Sequence, residues 1–99
     1  MKATIDGKRY DSDKCEVLGE IDHYTAGSNN YCGTSYLLRA SDGTYLYYTD
    51  ANGQSCHCVD GLSKVGFPNI QMADIIDRLD ITDEQEARLQ ELGLIEIVK

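Results

Sequence analysis

Three consecutive residues in the second half of the chain form its most compact group of metal-binding side chains: Cys56, His57 and Cys58. Two thiolates and an imidazole suit Zn²⁺, and residues of the same types elsewhere could complete a site: Cys15, Cys32 and His23. Structural zinc sites usually contain two separated pairs of ligands, however, and a single intervening residue between two cysteines is an uncommon spacing. We therefore expect no metal and no cofactor. A small zinc- or thiol-dependent regulatory module is the alternative.

Nucleophilic catalysis would need a cysteine or serine within reach of a base and of a group that orients the base. Cys56 as the nucleophile, His57 or His23 as the base and an aspartate as the orienting group would supply the required residue types. A chain with 17 acidic residues produces such combinations by chance. The sequence contains no GxSxG motif, no HExxH motif and no glycine-rich phosphate loop. We therefore expect a protein that is not an enzyme.

The net charge of −8 is the most unusual bulk property of this 99-residue chain. Such a charge disfavours direct binding to nucleic acid or to an anionic membrane surface, because both are negatively charged. It permits binding to a basic protein surface. Solubility alone is the other explanation of an acidic composition.

The acidic residues are concentrated after residue 70, where eight acidic and three basic residues give a net charge of −5. Four of the acids recur every three residues without an evident partner of opposite charge: Asp77, Asp80, Asp83 and Glu86. Carboxylates spaced in this way resemble nucleic-acid phosphates to a basic groove. The sequence predicts that these four bind a partner.

A solvated helix face is the competing interpretation of the same segment. Asp74 and Arg78 lie four residues apart, as do Glu84 and Arg88, and this spacing allows ion pairs along a helix. Residues paired in this way would be ordinary surface charges.

The central stretch, residues 36–49, contains two runs of aromatic and aliphatic residues around Ser41, Asp42 and Gly43. This pattern predicts a hairpin with a three-residue loop, in which Gly43 takes a positive φ. Tyr45 and Tyr47 fall on one face of the second strand. If the other face is the core, the two rings point outward and serve as partner-binding anchors. If a helix covers them, they are part of the core.

The remaining local signals predict a single α+β domain over residues 1–99, with a small antiparallel sheet built on the central hairpin. One short N-terminal helix is expected near residues 13–18 and is ended by Gly19. Two C-terminal helices are expected. The first has an apolar stripe at helical spacing: Met72, Ile75, Ile76 and Leu79. The second begins at Thr82, which forms a capping box with Gln85, and residues 94–98 are expected to form a final strand.

Two further expectations concern the environment of the protein. No apolar leader and no apolar run of membrane-spanning length occurs in the sequence. The protein is therefore expected in the cytoplasm. In that compartment its four cysteines should be thiols rather than disulfides. Residues 2–10 predict one more hairpin, with its turn at Asp6 and Gly7.

Two segments resemble small accessory proteins carried by phages and mobile elements. Residues 10–20 (Tyr-Asp-Ser-Asp-Lys-Cys-Glu-Val-Leu-Gly-Glu) are similar to their opening, which is Tyr-Asp-Thr, a short helix and an aliphatic-Gly-Glu. Residues 37–47 are similar to their hairpin, although Leu38 replaces the usual Tyr. The similarity covers residues 3–24 and 31–48, about half of the chain, and the C-terminal part is unmatched. No functional residue is carried over from it.

Some of these accessory proteins are encoded among anti-CRISPR genes, so the resemblance implies counter-defence. Combined with the acidic composition, it predicts a non-enzymatic anti-CRISPR inhibitor that binds a basic nucleic-acid groove of a host CRISPR-Cas or other defence nuclease. Direct binding to nucleic acid and to membrane is not expected. The oligomeric state is open, and a self-associating structural phage protein is a further alternative.

Overall fold

The computed structural model describes residues 1–24, 30–51, 59–66 and 71–98. This part of the chain forms a two-stranded and a four-stranded antiparallel sheet with two C-terminal helices, which confirms the α+β class. The elements are β1 (Lys2–Ile5), β2 (Lys8–Asp11), β3 (Glu16–Tyr24), β4 (Tyr31–Arg39), β5 (Tyr45–Ala51), β6 (Gly61–Lys64), α1 (Met72–Ile76) and α2 (Asp83–Glu91). The larger sheet has the order β3-β4-β5-β6, so neighbours in sequence are also neighbours in space.

The central hairpin is confirmed as β4 and β5. Gly43 has a φ of +88°, which a residue with a Cβ rarely adopts. Asp42 stabilises the loop, because its Oδ1 accepts a hydrogen bond from the Thr44 amide at 3.0 Å. The hydroxyl of Tyr10 donates to Oδ2 of the same carboxylate at 2.9 Å. These hydrogen bonds, led by that of the Thr44 amide, hold the pKa of Asp42 well below its usual range.

The predicted N-terminal hairpin is also confirmed. Asp6 and Gly7 have φ values of +51° and +77°, as a two-residue type I′ turn requires. The hairpin packs against one end of the larger sheet, where Tyr10 is buried beside Leu38 and Leu46. It therefore covers only part of that face.

The predicted N-terminal helix is wrong. Ser12–Lys14 form a single 3-10 turn, in which Asp11 caps the Asp13 amide, and β3 begins two residues later. An isolated helix of about six residues is unstable, whereas nine residues of β3 gain a ladder of hydrogen bonds with β4. Gly19 lies within this strand and does not end a helix. A Cβ there would lie 2.9 Å from Cγ2 of Ile81, so glycine allows the segment before α2 to pack on the strand.

The two C-terminal helices cover one face of the four-stranded sheet. The largest apolar cluster lies between them and joins β3, β4 and β5 to both helices: Leu18, Ile21, Leu37, Tyr47, Ile75 and Leu89. The predicted stripe of α1 is confirmed, because Ile75 is fully buried and Met72, Ile76 and Leu79 pack against this cluster. The predicted capping box is confirmed by two hydrogen bonds between Thr82 and Gln85, of 2.9 and 3.2 Å.

The expected final strand over residues 94–98 is not formed. Leu94 and Ile95 pack instead against the apolar cluster beneath the helices. The outer edge of β3 is occupied at Glu20, whose backbone exchanges two hydrogen bonds with Asp80. Within the described ranges, no helix is long and apolar enough to cross a membrane.

We predict that Gly33→Ala destabilises the fold by at least about 2 kcal/mol. Gly33 has a φ of +153°, and an added Cβ would lie 2.5 Å from the Asp50 carbonyl oxygen on β5. Backbone atoms within a sheet have little freedom to move away. The measurement is the free energy of unfolding from urea titration.

Gly61→Ala is the matched control, because a Cβ at this position of β6 meets nothing within 4 Å. Its free energy of unfolding should stay within about 0.5 kcal/mol of the wild-type value. Equal stability of the two variants would show that β4 and β5 do not approach as closely at Gly33 as described.

Candidate partner-binding surface

The four predicted partner-binding carboxylates lie along one continuous segment that joins the two helices. Asp77 is the C-cap of α1, and Asp83 is the first residue of α2. Asp80 lies between the helices, opposite Glu20 of β3, and Glu86 follows on the first turn of α2. Asp77, Asp80 and Asp83 are exposed, and Glu86 is partly exposed. Residues 77–86 thus carry these four solvent-accessible carboxylates along one continuous segment.

The ion pairs expected along these helices are replaced by others. Arg88 does not pair with Glu84; its guanidinium binds the Glu16 carboxylate through two hydrogen bonds of 2.8 and 3.1 Å, and a third reaches Glu91. The bond with Arg88 lowers the pKa of Glu16. Arg78 donates to the backbone oxygen of Asp74 and not to its carboxylate.

Arg88 therefore fastens α2 to β3 and leaves the neighbouring acids unneutralised. Across the residues that the structure describes, none of the four predicted carboxylates takes part in an ion pair. Asp83 and Glu86 have one structural effect, because negative charges in the first turn of a helix interact favourably with its dipole.

Tyr45 and Tyr47 point toward the helices, which is the second of the two orientations that the sequence allowed. Tyr47 is only 8% exposed and belongs to the apolar cluster beneath α1 and α2. Tyr45 packs against the same cluster. The outward orientation is therefore wrong, and both rings are used inside the fold.

The opposite face of the sheet carries a different tyrosine pair, which the sequence analysis did not select. Tyr36 and Tyr48 are direct partners on β4 and β5, and their rings stack with centroids 5.8 Å apart and an interplanar angle of 18°. Both are partly exposed. The signal was available, because counting outward from the predicted loop places these two residues opposite each other.

Carboxylates surround this tyrosine pair. In the antiparallel register, Glu20 of β3 lies opposite Tyr36, and Asp80 lies opposite Glu20. Residues directly opposite in antiparallel strands project from the same face. The row from Asp80 to Tyr48 therefore joins the acidic segment to the tyrosines.

The next row of the same face begins with Asp22 on β3 and ends with Asp50 on β5, and both are exposed. We call this surface the open face and define it by the side chains of Glu20, Asp22, Tyr36, Tyr48 and Asp50.

The cysteines differ from the expectation that all four are thiols. Cys15 is a free thiol whose pKa is raised by burial, but Cys32 is disulfide-bonded, so the prediction is wrong at Cys32. Cys32 cannot supply a thiolate to a metal ion while it is oxidised. Among the residues with described positions, no three His, Cys, Asp or Glu side chains come together as a metal site. Cys56, His57 and Cys58 lie outside the described residues.

His23 belongs to a short chain of hydrogen bonds on the helix side of the sheet. Its Nε2 lies 2.7 Å from Oγ of Ser35, which lies 2.7 Å from Oγ1 of Thr49. A histidine beside a serine hydroxyl has the geometry of an activated nucleophile. Ser35 is only 1% exposed, however, so a substrate does not reach its hydroxyl. The hydrogen bonds satisfy buried polar groups between strands.

We predict that His23 makes stability fall as the pH drops below about 6.5. Burial lowers the pKa of His23, and the Arg78 charge lowers it further, while Asp22 opposes them. As the pH falls, the unfolded chain therefore takes up a proton on His23 before the folded chain does. The free energy of unfolding is unaffected by the titration of His23 above about pH 6.5, and it decreases as the pH falls from there to the lower pKa of the folded state.

Urea titrations of the wild type and of His23→Gln between pH 5 and 8 measure this effect. Gln can still hydrogen-bond to Ser35 but does not titrate, so the variant should show a flatter pH dependence. If the free energy of unfolding changes with pH equally in both proteins, groups other than His23 cause the pH dependence.

We also predict that Cys32→Ser lowers the free energy of unfolding by about 2–4 kcal/mol, because it removes a disulfide crosslink. Dithiothreitol should destabilise the wild type by a similar amount. Cys15→Ser, the control at the free thiol, should have a small effect. Alkylation of all four cysteines in denaturant without reductant would contradict the disulfide.

Comparison with known proteins adds no family assignment: no family model and no curated protein matches the sequence, and no solved structure matches the fold.

Proposed function

We propose that this protein is a non-enzymatic anti-CRISPR inhibitor of a phage or mobile element. It binds a basic nucleic-acid groove of a host CRISPR-Cas or other defence nuclease, in the host cytoplasm. The proposal joins the sequence resemblance to one structural observation, the row of carboxylates on residues 77–86 that have no ion-pair partner among the described residues. The protein itself does not bind nucleic acid or membrane.

The arrangement of these carboxylates supports competition with nucleic acid. Asp83 and Glu86 lie three residues apart on α2, and such helix neighbours have Cβ atoms about 5–6 Å apart. Asp80 continues the row at the edge of β3, where its backbone is held by two hydrogen bonds to Glu20. Charges on a rigid backbone meet a preformed basic groove with little loss of backbone entropy.

Long-range attraction is the second part of the mechanism. A net charge of −8 on a small protein accelerates its approach to a positively charged channel, and dissolved salt screens that attraction. Binding to such a channel excludes the guide or target strand, because both ligands use the same cationic side chains.

While Cys32 is oxidised it cannot act as a ligand of the alternative zinc-dependent module. The carboxylates of residues 77–86 have no such requirement, and the inhibitor is the function that we propose.

Neutralising the acidic segment tests the proposal. We predict that Asp77→Asn, Asp80→Asn, Asp83→Asn and Glu86→Gln, combined in one variant, weaken inhibition of the nuclease by at least about tenfold, mainly through a slower association rate. Asn and Gln preserve size, and the loss of two first-turn acids of α2 should cost about 0.6–2 kcal/mol, so the variant should remain folded with a lower melting temperature. The tagged protein is first used to recover host RNA-guided nucleases from a lysate. Two quantities are then measured for each variant: the inhibition of DNA cleavage by these nucleases, and the association rate at increasing salt concentration.

The control variant neutralises three exposed acids elsewhere that make no side-chain hydrogen bond or ion pair in the described part of the chain: Asp13→Asn, Asp74→Asn and Glu96→Gln. Asp11 and Asp42 are unsuitable controls, because both carboxylates accept hydrogen bonds that hold turns together. Equal losses in the two variants, or an association rate that is indifferent to salt, would exclude the proposed mechanism.

A further inference from the structure

We propose that the open face of the sheet binds an arginine side chain of a protein partner at the stacked pair Tyr36 and Tyr48. This site is distinct from the carboxylates of residues 77–86, and it does not require the partner to be a nuclease. The proposal rests on the ring geometry, on a cavity beside the rings and on the charges around them.

The tyrosine pair offers aromatic surface next to carboxylates. Tyr36 and Tyr48 stack on each other and remain partly exposed, so they are not buried by the rest of the described fold. Glu20 is the cross-strand neighbour of Tyr36 on the side away from Tyr48, and its side chain is exposed. A cation placed between a tyrosine ring and a carboxylate gains attraction from both.

A cavity of about 390 Å³ adjoins the two rings. Val17 and Leu38 provide apolar wall, while Asp13 and Asp50 provide carboxylates, and none of the described residues that line the cavity is Lys or Arg. Arginine combines an aliphatic stem with a charged, planar head. The stem matches the apolar wall, and the head matches the rings and the carboxylates.

The charges around the rings favour a cation over an anion. Burial raises the pKa of Tyr36, and Glu20, Tyr31, Asp50 and Asp22 raise it further. Burial also raises the pKa of Tyr48, followed by the charge of Asp50. The part of these shifts that comes from Glu20, Asp22 and Asp50 reflects their negative charges, which would repel a phosphate. Guanidinium is preferred over ammonium, because it stacks on rings and forms bidentate hydrogen bonds with carboxylates.

The occupant that we propose belongs to a partner, because several basic side chains of the described fold have partners or positions away from the two rings. Lys8 binds Asp42, Lys64 binds Asp6, and Arg88 binds Glu16. Arg39 lies on the helix side of the sheet, away from Tyr36 and Tyr48, because its cross-strand neighbours are Glu16 and Tyr45.

Titration of the full-length, isotope-labelled protein with short peptides tests the proposal by NMR. The probes are the blocked peptide Gly-Gly-Arg-Gly-Gly and its counterparts with lysine or with citrulline, the neutral isostere of arginine. We expect the arginine peptide to shift the ring signals of Tyr36 and Tyr48 and to bind about tenfold more tightly than the citrulline peptide, with lysine between them. Equal affinity of the arginine and citrulline peptides would overturn the proposal.

Two variants locate the binding. Tyr48→Leu keeps an apolar side chain on the sheet and should weaken arginine binding about fivefold, and Asp50→Asn should weaken it by a smaller factor. Tyr24→Leu is the matched control, because Tyr24 is an exposed ring that pairs edge-on with Tyr31 and not with the stack. Equal weakening by Tyr24→Leu, or shifts confined to residues 77–86, would overturn the proposal. Ring shifts that depend on protein concentration without peptide would also overturn it, because a second copy would then occupy the face.

This test is independent of the proposed inhibition, because the probes contain no nuclease and the variants leave residues 77–86 intact. If the peptides do not bind but the protein still inhibits the nuclease, the proposal of an arginine site is wrong and the proposed function stands. If the peptides bind but the protein does not inhibit a nuclease, the proposed function is wrong and the arginine site stands.

Discussion

The register of the β4–β5 hairpin is the constraint on which the rest of the structure depends. Gly43 allows the loop to close at positive φ, and the ladder then runs unbroken from Arg39 and Tyr45 to Gly33 and Ala51. A shift of one residue would exchange the two faces of a strand. Because the register holds, Leu37 and Tyr47 lie beneath the helices, while Tyr36 and Tyr48 lie on the open face.

The charged side chains of this protein fall into two groups: some stabilise the fold through hydrogen bonds and ion pairs, and others lie on the surface without such contacts. Arg88 joins α2 to β3 through Glu16, and Asp42 fixes the central loop and Tyr10. Both contacts connect residues that are distant in the chain. On the open face Asp22 accepts a hydrogen bond from the Thr34 hydroxyl, whereas Glu20, Asp50 and the four predicted carboxylates of residues 77–86 make no side-chain hydrogen bond or ion pair in the described part of the chain. We propose that these carboxylates are available to a positively charged partner. Asp80 and Glu20 connect these two surfaces where their backbones pair.

Local sequence signals were reliable where a short motif determines its own geometry. The two hairpin turns, the apolar stripe of α1 and the capping box at Thr82 all depend on residues within a few positions of one another. The predicted N-terminal helix failed because its signals, an Asp-Ser start and a following glycine, fit a 3-10 turn and a strand equally well. A partner strand far along the chain decided the outcome, and the close packing of Ile81 on Gly19 gave that glycine another role.

The sequence by itself determined the α+β class, the central hairpin, the two C-terminal helices and the concentration of acidic residues after position 70. These properties follow from composition and from interactions between near neighbours in the chain. Only the tertiary structure decided which tyrosines are buried, because that depends on the face of the sheet that the helices cover. It likewise decided that Arg88 binds Glu16 across 72 residues of sequence, leaving the acids of residues 77–86 without ion pairs in the described part of the chain. Contacts of this kind depend on the direction in which folded elements point, which local spacing does not encode.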